Sequence, residues 1–371
     1  MTTSTGPSQE SSRFAVLDGW RGLAAIVVCY GHATHGAIVP GFVLAVDFFF
    51  VLSGFVIARS YGERLARGTM PFTEFVRVRL IRLYPMLFVS TLLAFVIFSA
   101  RILIDHETAL FAPGLKSFAL SLFVLPNQFL AGTGHHGLER AWPLNLPSWS
   151  LFFELIANFV WAAIVWRFNY RHWFVALVLF AIAYGLTVWH LRTTDFGDKW
   201  DSVLWGFARV AYSFAAGIAV YQLYMRGTFT VMKFIPSFIP AIILLLCFFT
   251  YKEKIEALQV VFIFPLLVLA GAYAKVGQFA QRICLWLGAI SYPLYLIHWP
   301  VVRIVRHALS PLKLSSFAMA LVMAGVTCLL IIAAHFAFRY YDLPVRRTLT
   351  ARFKVAPQSD RQLFPAELKC P

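Results

Sequence analysis

Arg21 and His32, in the apolar stretch LDGWRGLAAIVVCYGHATHG, have the types and the spacing for chemistry on one shared surface. An α-helix turns about 100° per residue, so eleven steps bring them almost to the same face, about 16 Å apart along the axis. A guanidinium at one end binds anions through a fixed fork of donors. An imidazole at the other can take up or release a proton, because its ordinary pKa lies near neutrality. The bland alternative gives each residue a separate duty, with Arg21 snorkelling to the headgroups and His32 resting in the opposite interface.

Other polar residues stand in similar surroundings. Asp47 precedes Phe48, Phe49 and Phe50; a carboxylate there needs a partner, and His32 or His35 is the expected one. Ser53-Gly54 lie deeper in the same stretch and read as a close helix contact, which explains Ser53 more simply than a nucleophile does. In PSWSLFFE, Ser150 and Glu154 are four apart and share a face. Glu154 points to a cavity, or to an arginine partner, rather than to lipid. ISYPLYLIHWP puts Ser291, Tyr295 and His298 on one face, while Pro293 and Pro300 bend that helix and free backbone carbonyls. Residue types alone reach an interior polar path, and so a transporter or an intramembrane enzyme.

The elements that position these groups are membrane helices. Of 371 residues, 60% are hydrophobic and 13% charged, against about half and about a quarter in a soluble chain. The excess lies in runs of roughly 17–23 residues, the length that spans a ~30 Å hydrocarbon core. In lipid each backbone amide must be paired internally, so such runs read as helices; barrel strands would alternate instead. The fold class is an all-α integral membrane protein of about ten transmembrane helices, near 14–36, 41–58, 83–101, 149–166, 173–190, 203–224, 234–251, 257–274, 284–304 and 315–338.

Basic loops set the orientation. Arg59, Arg64, Arg67, Arg77, Arg79 and Arg82 place 59–82 in the cytoplasm, as do Arg167/Arg171, Arg226/Lys233, Lys275/Arg282 and the basic tail, so both termini are expected inside. An even number of crossings must then join Arg82 to Arg167, and the weaker run at 115–130 reads as a re-entrant segment. The division expected is a disordered cytoplasmic N-terminus at 1–13, a membrane domain at 14–347 and a cytoplasmic tail at 348–371. The polar start lacks the basic region of a signal peptide. The net charge of +15 does not indicate nucleic acid, since the cations cluster between apolar runs and leave no soluble basic face. Cys29, Cys247, Cys284, Cys328 and Cys370 have no metal-like or disulfide spacing. His135 and His136 are too few ligands for a metal. The chain has no internal repeat, which disfavours an inverted-repeat transporter.

LDGWRGLAAIVVCYGHA, DFFFVLSGFVIA, RVRLIRLYP, PSWSLFFE, ISYPLYLIHWP and YYDLPVRR follow one another in this order. Together they resemble the acyltransferase 3 family of membrane acyltransferases, over residues 14 to 347. The family's arginine, ten residues, histidine pattern falls on Arg21 and His32, and its RxxRLYP pattern on Arg79, Arg82, Tyr84 and Pro85. The resemblance implies a ten-helix core that passes an acyl group from cytoplasmic acyl-CoA, most simply acetyl-CoA, to a hydroxyl of an envelope saccharide or glycolipid across a bacterial inner membrane. It implies no permanently bound cofactor. Arg21, Arg79 and Arg82 are then placed for the phosphates of the donor. His32 is the base, Asp47 fixes its tautomer, and Glu154 completes the catalytic set; Trp149 and Ser150 shape the acceptor mouth with Glu154. Tyr292, Tyr295 and His298 line the opposite wall. Some longer members carry a soluble esterase-like domain, which the short tail here is not expected to supply. The competing expectations are a transporter or flippase of a small anion or glycolipid, and a structural partner in a polysaccharide assembly.

Overall fold

A computed structural model describes residues 14–130, 140–167, 170–250 and 252–353. Eleven helices carry the description: α1 Ala15–Thr34, α2 Ala45–Ala66, α3 Phe72–Ile104, α4 Phe111–Ser121, α5 Ser148–Ile164, α6 Tyr170–Leu191, α7 Gly206–Arg226, α8 Phe238–Cys247, α9 Glu253–Tyr273, α10 Gln278–Leu309 and α11 Ser316–Arg352. Among the described residues the only extended pairing is an isolated antiparallel bridge between Arg140 and Lys199. The protein is an all-α integral membrane protein. Eight helices (α2, α3, α5, α6, α7, α9, α10 and α11) are long and apolar enough to cross a membrane. Of the other two expected spans, α1 has the length, at 20 residues, but carries Asp18 and Arg21. The run at 234–251 yields only the 10-residue α8, about 15 Å of helix.

One further expectation changes. The arginine-rich segment 59–82 is not a loop: α2 runs on to Ala66 and α3 starts at Phe72. Arg and Leu are good helix formers, and a helical RVRLIRLYP can turn Arg79 inward, where it is 5% exposed. The run at 115–130 becomes the short α4, stacked on α3 through Phe95 and Phe118 at 4.8 Å, followed by irregular chain whose Val124 carbonyl accepts from Trp142 Nε1 at 2.8 Å.

Burial sorts the helices into an inner and an outer set. The apolar window of α2 is 72% buried and that of α6 only 17%, so α2 is enclosed by protein while α6 presents Val175, Leu179, Ile182 and Leu186 outward. Continuous exposed apolar surface of this kind suits hydrocarbon, not water. The inner helices approach closely because glycines line their contacts. A Cβ on Gly22 of α1 would meet Leu287 of α10 at 2.5 Å, and one on Gly54 of α2 would meet the Phe214 carbonyl of α7 at 2.1 Å.

Candidate active site

α1, α2, α3, α5, α10 and α11 enclose a cavity with about 1200 Å³ of empty space, counting its open mouth. Four guanidiniums line it, those of Arg21, Arg79, Arg82 and Arg346, with the carboxylates of Asp18, Glu154 and Asp342 between them. Arg21 is held in place by Asp18 at 2.9 Å, the Gly288 carbonyl at 2.9 Å and Ser291 Oγ at 3.0 Å. The close packing of α1 on α10 is what brings Gly288 and Ser291 to it. Glu154 Oε1 accepts from Ser53 Oγ at 2.8 Å and from Arg79 Nη2 at 3.1 Å. The arginine partner weighed for Glu154 is thus the one it has. Ser53 joins Glu154 on the cavity wall while its neighbour Gly54 makes the helix contact.

Deeper in, Ser150 Oγ and Tyr295 Oη share a hydrogen bond of 2.7 Å, and Tyr292 Oη donates to the Leu83 carbonyl at 2.7 Å. Of the sequence candidates, Arg21, Arg79, Arg82, Glu154, Ser150, Tyr292 and Tyr295 therefore share one cavity; His32, Asp47, Trp149 and His298 do not line it.

The histidines form a second cluster just beyond Tyr295. The Tyr295 ring lies 6.0 Å from that of His298, and His298 stacks on His32 at 5.3 Å with 24° between the planes. Phe42 and Trp299 stand edge-on to His32 at 4.8 and 4.9 Å. Local sequence explains the arrangement. Gly31 has no Cβ to block Phe42, whose ring would lie 2.2 Å from one. α1 then stops just past His32, where His35 takes φ +50° and Gly36 φ +74°. Arg306 closes the end by donating to the Ala33 carbonyl at 2.6 Å. In α10, Pro300 has no N–H for the Leu296 carbonyl, and Asn145 Nδ2 supplies the missing donor at 3.2 Å. His298 Nδ1 faces the Leu294 carbonyl at 3.1 Å. Its Nε2, like Trp299 Nε1, is buried and meets no hydrogen-bond partner among the described residues. Both are polar atoms beside His32 with capacity for a ligand.

Asp47 takes another partner than the histidine expected. It is wholly buried against Arg209, and Ser213 Oγ adds a contact at 3.4 Å. The tautomer-fixing role is therefore unsupported by its contacts. Arg209 also lies over the Trp149 ring, 5.2 Å from its centre, and donates to the Phe196 and Val43 carbonyls. Trp149 is thus a packing platform in this structure, 7% exposed. Arg209, Trp299, Asp342 and Arg346 were not singled out from sequence. Arg209 carried a usable signal, an ionisable residue within an apolar span; Asp342 and Arg346 lay inside YYDLPVRR. Among the described residues no three His, Cys, Asp or Glu side chains gather as a metal site, and His135 and His136 lie outside them.

A family model described as an acyltransferase domain matches residues 14–346. The chain belongs to the acyltransferase 3 family. This acyltransferase is also 39% identical over 160 residues to "Protein 2 in picA locus" of Rhizobium radiobacter, a match covering 40% of this chain and 81% of that protein. No solved structure matches it. The acyltransferase is an enzyme that transfers groups other than amino-acyl groups, and the transporter expectation gives way to family membership over nearly the whole chain.

Proposed function

We propose that this acyltransferase carries an acyl group from acyl-CoA, most simply acetyl-CoA, to a hydroxyl of an envelope or exported saccharide. One observation carries the reading: a cavity rich in arginine and a stacked histidine pair belong to the two ends of the same helix, with Tyr295 touching both. Arg21 and His32 are separated by about 16 Å of helical rise, a gap of the order that the two-amide pantetheine arm of coenzyme A covers when extended. Phosphates bound by Arg21, Arg79 and Arg82 leave the thioester near His32, with Ser53, Glu154, Ser150 and Tyr295 along the way to meet the amides.

In the chemical step the acceptor oxygen attacks the thioester carbonyl while His32 removes its proton. The new C–O bond forms, the C–S bond breaks, and the proton passes to the departing coenzyme A sulfur. Trp299 Nε1 and His298, beside His32, hold the acceptor or the developing oxyanion. Glu154 fixes Arg79 and the donor wall rather than the acceptor mouth. The basic segments support an orientation with the arginine end and both termini cytoplasmic, with 115–130 re-entrant from the other side, in a bacterial inner membrane.

The test is transfer of label from radioactive acetyl-CoA to saccharide in membranes holding wild type or His32→Ala at equal protein level. Label that needs His32 supports the reading. Equal labelling by the variant removes His32 from it, and no labelling by either removes acetyl-CoA as donor.

A further inference from the structure

Among the described residues, the cavity holds one buried acceptor atom that neither the arginines nor the chemical step accounts for. Asp342 is 2% exposed; its Oδ2 takes Arg346 Nη2 at 3.0 Å, while its Oδ1 is buried and meets no hydrogen-bond partner among the described residues. Such an atom is costly when left dry and unpaired, so a bound group that donates to it is favoured. The backbone is also irregular here. Phe338–Asp342 is a π-turn inside α11, a widening found mostly at functional positions, and Phe338, Asp342 and Arg346 all line the cavity.

The ligand chemistry follows from the two partners. A carboxylate repels a bare phosphate, so Oδ1 suits a donor that is not itself an anion, and a hydroxyl is one such donor. Arg346, on the other side of the same carboxylate, suits an anion and most of all a phosphate. A ribose with a hydroxyl on one carbon and a phosphate on the next satisfies both at once; a glycerol phosphodiester headgroup offers a similar pair of groups, and the adenosine compounds below separate the two. We infer that Asp342 and Arg346 seat the phosphorylated ribose at the nucleotide end of the acyl donor, the 2′-hydroxyl on Asp342 and the 3′-phosphate on Arg346. The assignment rests on the acyl-CoA reading above and deepens it. Arg21, Arg79 and Arg82 are left for the diphosphate.

The experiment measures binding of adenosine 3′,5′-bisphosphate to the full chain in detergent by calorimetry, beside adenosine 5′-phosphate and the 2′-deoxy bisphosphate. Wild type is expected to bind the bisphosphate at least tenfold more tightly than either analogue. Arg346→Ala should lose the preference over the monophosphate, and Asp342→Ala the preference over the deoxy compound. Equal binding of all three by wild type overturns the inference without any variant having to fold. So does an Arg346→Ala protein that weakens bisphosphate and monophosphate alike. If acetyl-CoA supports transfer but the bisphosphate does not bind, the donor reading stands and this seat is wrong. If the bisphosphate binds as expected but no acyl-CoA supports transfer, the seat stands and the donor reading is wrong.

Discussion

Arg209 grips Asp47 in the interior of the helix bundle, Nε reaching Oδ1 at 3.0 Å and Nη2 reaching Oδ2 at 2.7 Å, with both side chains fully buried. The same guanidinium ties down the Val43 and Phe196 carbonyls, so one residue of α7 joins α2, the segment before it and the link after α6. Removing one charge strands the other where water cannot reach it, at a typical cost of 3–5 kcal/mol, about enough to empty the folded state of a marginal protein. Arg209→Ala and Asp47→Ala should therefore each lower the unfolding temperature in detergent sharply. The double change Asp47→Leu with Arg209→Met should be less harmful than the sum of the two, because no lone charge is left. Strict additivity of the two losses would remove the pair as a unit.

The stacked histidines separate a chemical role from a structural one. His32→Gln keeps a polar side chain of similar reach but removes the imidazole. It is expected to cut acyl transfer by about 10²–10⁴-fold, the usual contribution of a general base, with the unfolding temperature nearly unchanged. Rates measured at saturating donor and acceptor decide it; a loss confined to KM would place His32 in binding only.

Much of this was legible in sequence for a physical reason. Lipid forces a period and a length on the chain, so runs such as 173–190 announce their helices, and a charged residue in such a run announces an interior. Arg21, Arg79, Glu154 and Tyr295 line one cavity, although the sequence puts the arginines at the donor end and Glu154 and Tyr295 at the acceptor mouth. Pairing was not legible, because it depends on how helices far apart in sequence rotate against each other. Asp47 is close to His32 in the chain but faces Arg209, 162 positions away. The run at 234–251 misled for a local reason: Pro236 and the 3₁₀ turn before it leave only ten residues of regular helix.

Ser53 distinguishes a cavity wall from a nucleophile. Its hydroxyl donates to Glu154, which Arg79 also holds. Ser53→Ala removes one hydrogen bond, worth about 1 kcal/mol, and is expected to keep acyl transfer within about threefold of wild type. Glu154→Ala takes the counter-charge from the buried Arg79 and should cost about 2–3 kcal/mol, below the 3–5 of a fully closed pair because Glu154 is 24% open to the cavity. Complete loss of transfer in a well-folded Ser53→Ala protein would instead make Ser53 an acyl-carrying residue, which trapping of labelled enzyme would reveal.

Gly54 and Gly217 set the distance between α2 and α7, and so the place of every cavity residue on α2. A Cβ on Gly217 would stand 2.0 Å from the Val51 carbonyl, and one on Gly54 2.1 Å from the Phe214 carbonyl. Neither obstacle is the loose end of a side chain; each is backbone of the opposite helix, so the helices must part. Separation of a packed pair costs typically 1–3 kcal/mol and shifts Ser53 away from Glu154 at the same time. Gly217→Ala is thus expected to lower both thermal stability and transfer rate, and Gly217→Val to do so further. Gly185, on the outer α6, has open space where its Cβ would be, and Gly185→Ala should be neutral or slightly stabilising, by up to about 1 kcal/mol of helix propensity. Unfolding temperatures of the three variants in one detergent test the contrast; a Gly217→Ala protein as stable as Gly185→Ala would mean that the two helices do not touch as described.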